Sequence, residues 1–485
     1  MSVPLMIALR PEVERRTRIG ADGEEIEMLE ARWGALALPR AGTPERAPVD
    51  LLLSGPATPS DCEASVAPTG TTGLARWMFW AARASRRGFL SYRLLTPDGT
   101  LVADVVPTSP EAPNLMLGPP AAPCPARLQL SRFAVLHRGA RGMILESPCA
   151  NMRAELTVAA VAVIAAFVVP ITPADAADTV LVTPGFGAAQ LDTLVAVLLR
   201  AGLLAEVGDD DLLAEDRDPA LSQWEFHDLL LHDRSRMAHP DEPRGGTYRF
   251  AGARPAPAAA GDRERTASGS GTDSRVILSP PDLAAVMAAD PPFAQVMEDR
   301  SSRRNLSPLT IAQLSEFLYR TMRDRGWRGT VEQADSYPRP SRPYPAAGGL
   351  YELTTYLAVA DCEGLPAGLY RYDPFEHELI LVTPSNPDVD RLLREGGGAA
   401  TLTTPPPVLV ILAADFRRLS WKYEGIAYAL TLKNVGVLFA TMQLAATAMG
   451  LGSCPVGAGD SFLFARTAGT RLYEESSVGE FLLGT

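Results

Sequence analysis

Hydrophobic periodicity is clearest in the C-terminal part of the chain. In "SPLTIAQLSEFLYRTMRD" the apolar residues recur at helical spacing, and Ser307 ahead of Pro308 reads as a helix start. "ELTTYLAVADC" has the pattern of a strand. So does "PPVLVILAADF", whose unbroken apolar run suits a strand buried on both faces. From Arg417 to Met449 the pattern is helical again, as one or two helices, with Gly450 as the C-terminal cap. Helices around so apolar a sheet predict an α+β domain.

The N-terminal part repeats one inventory loosely. First come strands in "EEIEMLEARWGALAL", an amphipathic helix "GLARWMFWAARASRRG" and a hairpin "FLSYRLLTPDGTLVADVV". Strands "RFAVLHRG" and "GMILESP" follow, with helices around "TVAAVAVIAAFV" and "AQLDTLVAVLLRAGLLAEV". Strands, short helices and a hairpin are the parts of a winged-helix unit, so two such units are expected, residues 1–125 and 126–250. The Pro-rich stretch near 105–125 separates them. The Ala-, Pro-, Gly- and Ser-rich stretch 251–275 reads as a linker, and 276–485 as the α+β domain.

Charge narrows the function. The net charge is -12, and neither winged-helix candidate has a basic recognition helix, which argues against nucleic acid and for peptide binding or packing. Five scattered cysteines without a CxxC pair suggest a reducing compartment, no disulfide framework and no metal site. No secretory signal is visible, and the longest apolar run, from Leu156, is too short for a bilayer and ends at a proline. A cytoplasmic protein without a membrane segment is the expectation.

Several stretches offer chemistry. "DRSSRRNLS" sets Arg300, Ser301, Ser302, Arg303 and Arg304 beside a helix, suited to a phosphate or to a solvated basic turn. "SRPYPAAGGLYELTTY" brings Gly348 and Gly349 to the start of a strand, where a backbone can approach a flat ligand or simply turn. "GLGSCPVGAGDSF" adds Gly457 and Gly459 after an apolar helix. Only two of the 45 basic residues are lysines, Lys422 and Lys433, and both fall in "RRLSWKYEGIAYALTLKNVG". A continuous helix would set them within about 20° of one face. Arginine is always protonated, whereas a desolvated lysine can act as a base once burial or a ligand lowers its pKa. Tyr423 is either a second acid/base group or an aromatic core residue.

Together these motifs resemble the nitroreductase-like flavoproteins, and within them the SagB-type peptide azoline dehydrogenases. The closest likeness is to the cyanobactin-type thiazoline/oxazoline oxidases. The likeness rests on "RSSRR", "RPYPAAGGLYEL", "SWKYEGIAYALTLKNVGVLFATMQLAATAMGLGSCPVGAGD" and "SSVGEFLLGT". It extends to "LSRFAVLHRGARGMILESP" and "WEFHDLLLHDRSRMAHPDEPRGGTYRF", and so spans roughly 128–485. The resemblance implies FMN at a homodimer interface. Arg300, Ser301, Ser302 and Arg304 would hold the phosphate and ribityl chain. Pro345, Ala346, Ala347 and Gly348 would follow the isoalloxazine ring, with alanine at 346 where the family commonly has serine. Gly457 and Gly459 would complete the phosphate pocket, and Lys422 with Tyr423 would be the acid/base pair.

What the resemblance implies for activity is oxidation of thiazolines and oxazolines to azoles in a ribosomally made peptide, with O2 as terminal acceptor. A cyclodehydratase is an implied partner. Two other readings stand beside it. One is an NAD(P)H-dependent small-molecule flavin reductase, which would have no use for N-terminal peptide-docking units. The other is a non-catalytic peptide-recruiting subunit, which would have no use for Lys422 and Tyr423.

Overall fold

In a computed structural model the described residues are 3, 5–115, 126–179, 187–236, 239–254, 256–257, 275–326, 337 and 339–485. They divide into two units, Met1–Pro243 and Arg244–Thr485.

In the first unit one six-stranded antiparallel sheet runs through both N-terminal stretches, in the order Met6–Leu9, Leu90–Leu95, Leu101–Pro107, Met152–Leu156, Met143–Glu146, Val135–Arg138. The junction pairs Met152 with Pro107 and Leu156 with Ala103. One hydrophobic core, from Leu5 through Trp77 and Phe167 to Leu204, therefore spans both stretches. The Pro-rich 116–125 and most of the 251–275 stretch lie outside the described residues, whereas 251–254 belong to the second unit.

The second unit is built on a seven-stranded antiparallel sheet in the order Arg275–Ile277, Glu378–Pro384, Gly368–Asp373, Leu353–Val359, Val408–Asp415, Glu475–Gly484, Gly452–Val456. Every residue of Val408–Asp415 is buried, as its unbroken apolar run implies, because it lies between two strands and is covered on both faces. The helices Ile311–Met322 and Ala427–Ala448 cover one face; Pro387–Ala399 and Ser461–Ala468 cover the other. The α+β architecture expected for this part is present.

Two local expectations change. The first helix begins at Ile311, capped by Thr310 rather than Ser307. Thr310 Oγ1 accepts from Gln313 N at 3.2 Å, and Gln313 Oε1 accepts from Thr310 N at 2.9 Å. Ser307 is committed elsewhere, its backbone paired with Thr485. The second concerns Arg417–Met449: of the one or two helices expected, the structure has two, Phe416–Lys422 and Ala427–Ala448. Gly425, at φ +73°, breaks the run, and Tyr423–Glu424 pairs with Gly245–Gly246. Lys422 and Lys433 therefore do not share a helical face, and Lys433 is exposed. Gly450, at φ +70°, closes the long helix as expected.

The long helix also carries a feature that the apolar-run criterion passed over. At 22 residues it is long and apolar enough to cross a bilayer by length and composition. Here Val435, Leu438, Met442 and Ala446 pack into the core, while Tyr428 and Leu432 are exposed.

His377 ties the first helix to the sheet. Its Nε2 lies 3.0 Å from Ser315 Oγ, which itself donates to Ser279 O, and its Nδ1 lies 2.8 Å from the Tyr372 hydroxyl. Burial, helped by Arg323, lowers its pKa from 6.5 to about 4. The ring is thus neutral in the fold, and its contribution is present above pH 6.5 and lost as pH falls toward 4. Urea unfolding should show stability declining across that window. His377→Asn, a side chain that tolerates the φ of +51° found here, should flatten the decline.

Candidate active site

The short helix Phe416–Lys422 starts on Asp415, whose Oδ1 accepts from Arg417 N at 3.2 Å. Two side chains then anchor it. Buried Arg418 donates to Leu350 O, and Trp421 Nε1 donates to Arg254 O at 3.0 Å. Lys422 emerges at its end among three tyrosines. Its Nζ is 5.0 Å from the ring centre of Tyr337 and 5.3 Å from those of Tyr248 and Tyr423, and it donates to Tyr337 Oη at 2.8 Å.

This setting corrects the expectation that burial lowers the lysine pKa. Burial does push it down, but hydrogen bonds to Tyr337 and Tyr248 outweigh that, and the net shift is upward. For Tyr337 burial pushes upward, but hydrogen bonds from Lys422 and Arg339 win and the phenol falls below its ordinary range. Lys422 therefore holds its proton at neutral pH.

The loop Pro345–Gly349 lies directly against this group. Ala347 N donates to Asn434 Oδ1 at 3.1 Å, and Asn434 Nδ2 donates to the two Glu352 carboxylate oxygens at 2.8 and 3.1 Å. Burial raises the pKa of Glu352, against the pull of Asn434. Tyr337 Oη also donates to Gly348 O at 2.8 Å. Gly348 has φ +61°, and a Cβ there would stand 2.7 Å from Tyr423 Oη and 2.9 Å from Lys422 Nζ. Hydroxyl, amine and loop backbone thus converge on one point that only glycine leaves open. Pro345, Ala346 and Gly348 also line a cavity of about 520 Å³, together with Arg339 and Arg342.

A second cluster sits farther along the long helix. The segment 300–304 follows the helix Phe293–Asp299, and Arg303 N donates to Ser453 O at 2.8 Å. Gln443 Nε2 donates to Ser302 Oγ at 3.3 Å. Gly457 and Gly459 follow the strand that carries Ser453; Gly457 is open, whereas a Cβ on Gly459 would strike the Glu480 carboxylate. Arg300, Arg303 and Arg304 are exposed and have no carboxylate partner among the described residues. Asn434 and Gln443 are nine residues apart, about 13 Å along the helix axis. One buried helix face thus spaces a backbone strip with the Lys422–Tyr423 pair from a strip of cations, hydroxyls and glycine amides.

Comparison with known proteins finds likenesses in two parts of the chain. Residues 299–484 match the nitroreductase family, and residues 128–241 match the cyanobactin oxidase ThcOx. Two family models thus match successive parts of this chain, neither of them half of its length. A putative nitroreductase of Methanocaldococcus jannaschii is 27% identical over 152 residues, 31% of this chain and 70% of that protein. Among solved structures, a putative nitroreductase of Ralstonia eutropha is 22% identical at TM-score 0.34, covering 50% of this chain and 96% of that one. The Escherichia coli microcin synthetase complex with bound truncated pro-peptide is 19% identical at TM-score 0.32, covering 50% and 88%. A putative nitroreductase of Desulfovibrio desulfuricans, solved with FMN, is 13% identical at TM-score 0.24, covering 40% and 86%.

Within the nitroreductase-family domain, Lys422, Tyr423 and Gly348 meet, and Pro345, Ala346 and Ala347 continue the same strip. Arg300, Ser301, Ser302, Arg304, Gly457 and Gly459 belong to the second cluster. Sequence reasoning passed over Tyr337, Tyr248, Asn434 and Glu352. Tyr337 lies just ahead of the motif that drew attention, and Asn434 next to Lys433 looks like any helix residue. Gly348→Ala should cost about 1 kcal/mol for the left-handed backbone alone and also displace Lys422 and Tyr423. Denaturant titration and the reactivity of the Lys422 amine toward an acylating probe check the two effects.

Proposed function

We propose that this protein oxidises thiazoline or oxazoline rings to azoles in a ribosomally synthesised peptide, using FMN, with O2 as the terminal acceptor. The family matches identify an oxidoreductase; the finer reading rests chiefly on the Lys422–Tyr423–Gly348 convergence beside a ring-length backbone strip. The cyanobactin-oxidase match over 128–241 favours a peptide over a free small molecule, and a cyclodehydratase that forms the azoline as a partner.

The donor set fits FMN. The guanidiniums of Arg300 and Arg304, which have no carboxylate partner among the described residues, with Ser301, Ser302 and the Gly457 and Gly459 amides, suit the phosphate and ribityl chain. The Cβ-free edge at Gly348 and the backbone of Pro345–Ala347 suit a flat ring. When bound, FMN supplies the two-electron acceptor. The chain's own residues position the azoline, exclude water and manage its proton. Aromatisation removes a proton and a hydride from adjacent carbons; bound FMN would accept the hydride, and the group around Lys422 takes the proton once it has released one of its own to solvent.

Exposed apolar residues stand on the long helix, Tyr428 and Leu432, and on the helices Leu283–Ala289 and Phe293–Asp299, Met287, Phe293 and Met297. We assign them to a homodimer interface, with FMN at that interface. Leu432→Arg should convert a dimer to a monomer in analytical ultracentrifugation; a protein monomeric from the start would refute the assignment.

The central test is mass spectrometry of a thiazoline-bearing peptide incubated with the purified protein. Loss of two hydrogens per ring with release of peroxide is expected, and an unchanged peptide would refute the reaction. Lys422→Ala and Tyr423→Ala should each lower turnover by about 10²–10⁴-fold with flavin retained. Arg300→Ala should lose flavin absorbance instead.

A further inference from the structure

Lys422 has two phenols within reach, and the structure gives them different work. Tyr423 Oη lies on the open side of Gly348, where a Cβ would fall 2.7 Å from it. Tyr337 Oη lies behind, 2.8 Å from Lys422 Nζ and 2.8 Å from Gly348 O, with Arg339 Nη2 at 3.5 Å. Tyr337 is 1% exposed, so water does not compete for its oxygen. Its ring also packs edge-on against Trp421, with centroids 6.0 Å apart, which fixes the phenol at the end of the short helix.

We propose that Tyr337 is a positioning residue that forms one acid–base unit with Lys422, holding the lysine proton in register with the Gly348 backbone and sharing the proton that turnover moves. This inference rests on the azoline-oxidase reading for its chemistry and on geometry alone for the pairing. The groups facing the pair are Arg339, Tyr248 and Tyr423, all within the second unit. None is a carboxylate, so two cations press on one phenol, opposed by the Gly348 carbonyl that accepts the phenol proton.

The balance is simple. With Nζ protonated and Tyr337 as a phenol, the unit carries one proton more than it needs to accept another. Losing that proton to solvent leaves a unit of zero net charge, written either as ammonium with phenolate or as amine with phenol. In the ammonium–phenolate form Lys422 passes one proton along its hydrogen bond to Tyr337 as its nitrogen takes up the azoline proton on the Gly348 side, which restores the starting state; a bound flavin would accept the hydride. Because the two sites are coupled, the titration belongs to the pair. A neutral amine therefore need not exist ahead of substrate. The nearby cations favour ionisation of the phenol, and burial opposes it less strongly.

The pairing is tested first without turnover. Ultraviolet difference titration of the flavin-free protein should show one phenol ionising below the ordinary tyrosine range near pH 10. That component should vanish in Tyr337→Phe and move upward in Lys422→Met. A wild-type titration lacking it, or one unchanged in Tyr337→Phe, overturns the pairing. In the flavin-loaded protein, Tyr337→Phe should lower kcat by about 10²-fold and alter the pH profile, with KM and flavin content near wild type. Wild-type kcat and pH profile in a folded Tyr337→Phe protein would overturn the role in turnover. If the low-range phenol is present but the wild type leaves every azoline intact, the pairing stands and the reaction assignment fails.

Discussion

Everything at the candidate site depends on Gly348 having no side chain. Its backbone sits in the left-handed region, and its α-carbon faces the Tyr423 hydroxyl and the Lys422 ammonium at distances that leave no room for a methyl group. Its carbonyl, on the same peptide, accepts from Tyr337. One residue thereby fixes the loop, the amine and two phenols relative to each other. The conformation is held from below by the Ala347–Asn434–Glu352 chain of hydrogen bonds, which links the loop to the long helix and the adjoining strand. A buried carboxyl such as Glu352 is tolerated because its oxygens are engaged and Arg418 and Arg342 lie near it.

The electrostatics of Lys422 show why burial is a poor guide to a lysine's protonation state. Desolvation taken alone would release the proton. The cage supplies instead a hydrogen-bond acceptor at 2.8 Å and three π faces, each of which stabilises the cation. Arginine in this place would bring a wider, permanently charged group that could neither donate along a single axis to Tyr337 nor change protonation. That gives a chemical reason for a lysine here in a chain that otherwise uses arginine almost throughout.

The two clusters have different mechanical supports. The backbone strip and the Lys422–Tyr423 pair hang from the short helix, the loop and the buried Asn434. The cation strip hangs from the edge strand Gly452–Val456 and Gln443. The long helix serves both, and its rigidity sets their spacing. A sheet strand buried on both faces lies beneath, so neither support can shift without disturbing the core.

The sequence by itself determined the α+β class of the second unit, the apolar strand at its centre and the Gly450 cap, and it singled out the segments that hold the candidate site. These are local properties: periodicity, a residue with special backbone freedom, and rare residue types kept in one place. The helix start read at Ser307 went astray, and whether Arg417–Met449 was one helix or two stayed open, for one reason. Ser307 is taken by pairing with Thr485, and the helix is broken where Tyr423–Glu424 pairs with Gly245–Gly246. Those partners lie more than 170 residues away, and no local window contains them. The same holds for the site. Lys422 and Gly348 were visible as residues, but Tyr337, Asn434 and Glu352 acquire their roles only through contacts across the fold. Only the tertiary structure decided that the lysine keeps its proton, because a pKa is a property of surroundings and not of the residue that carries it.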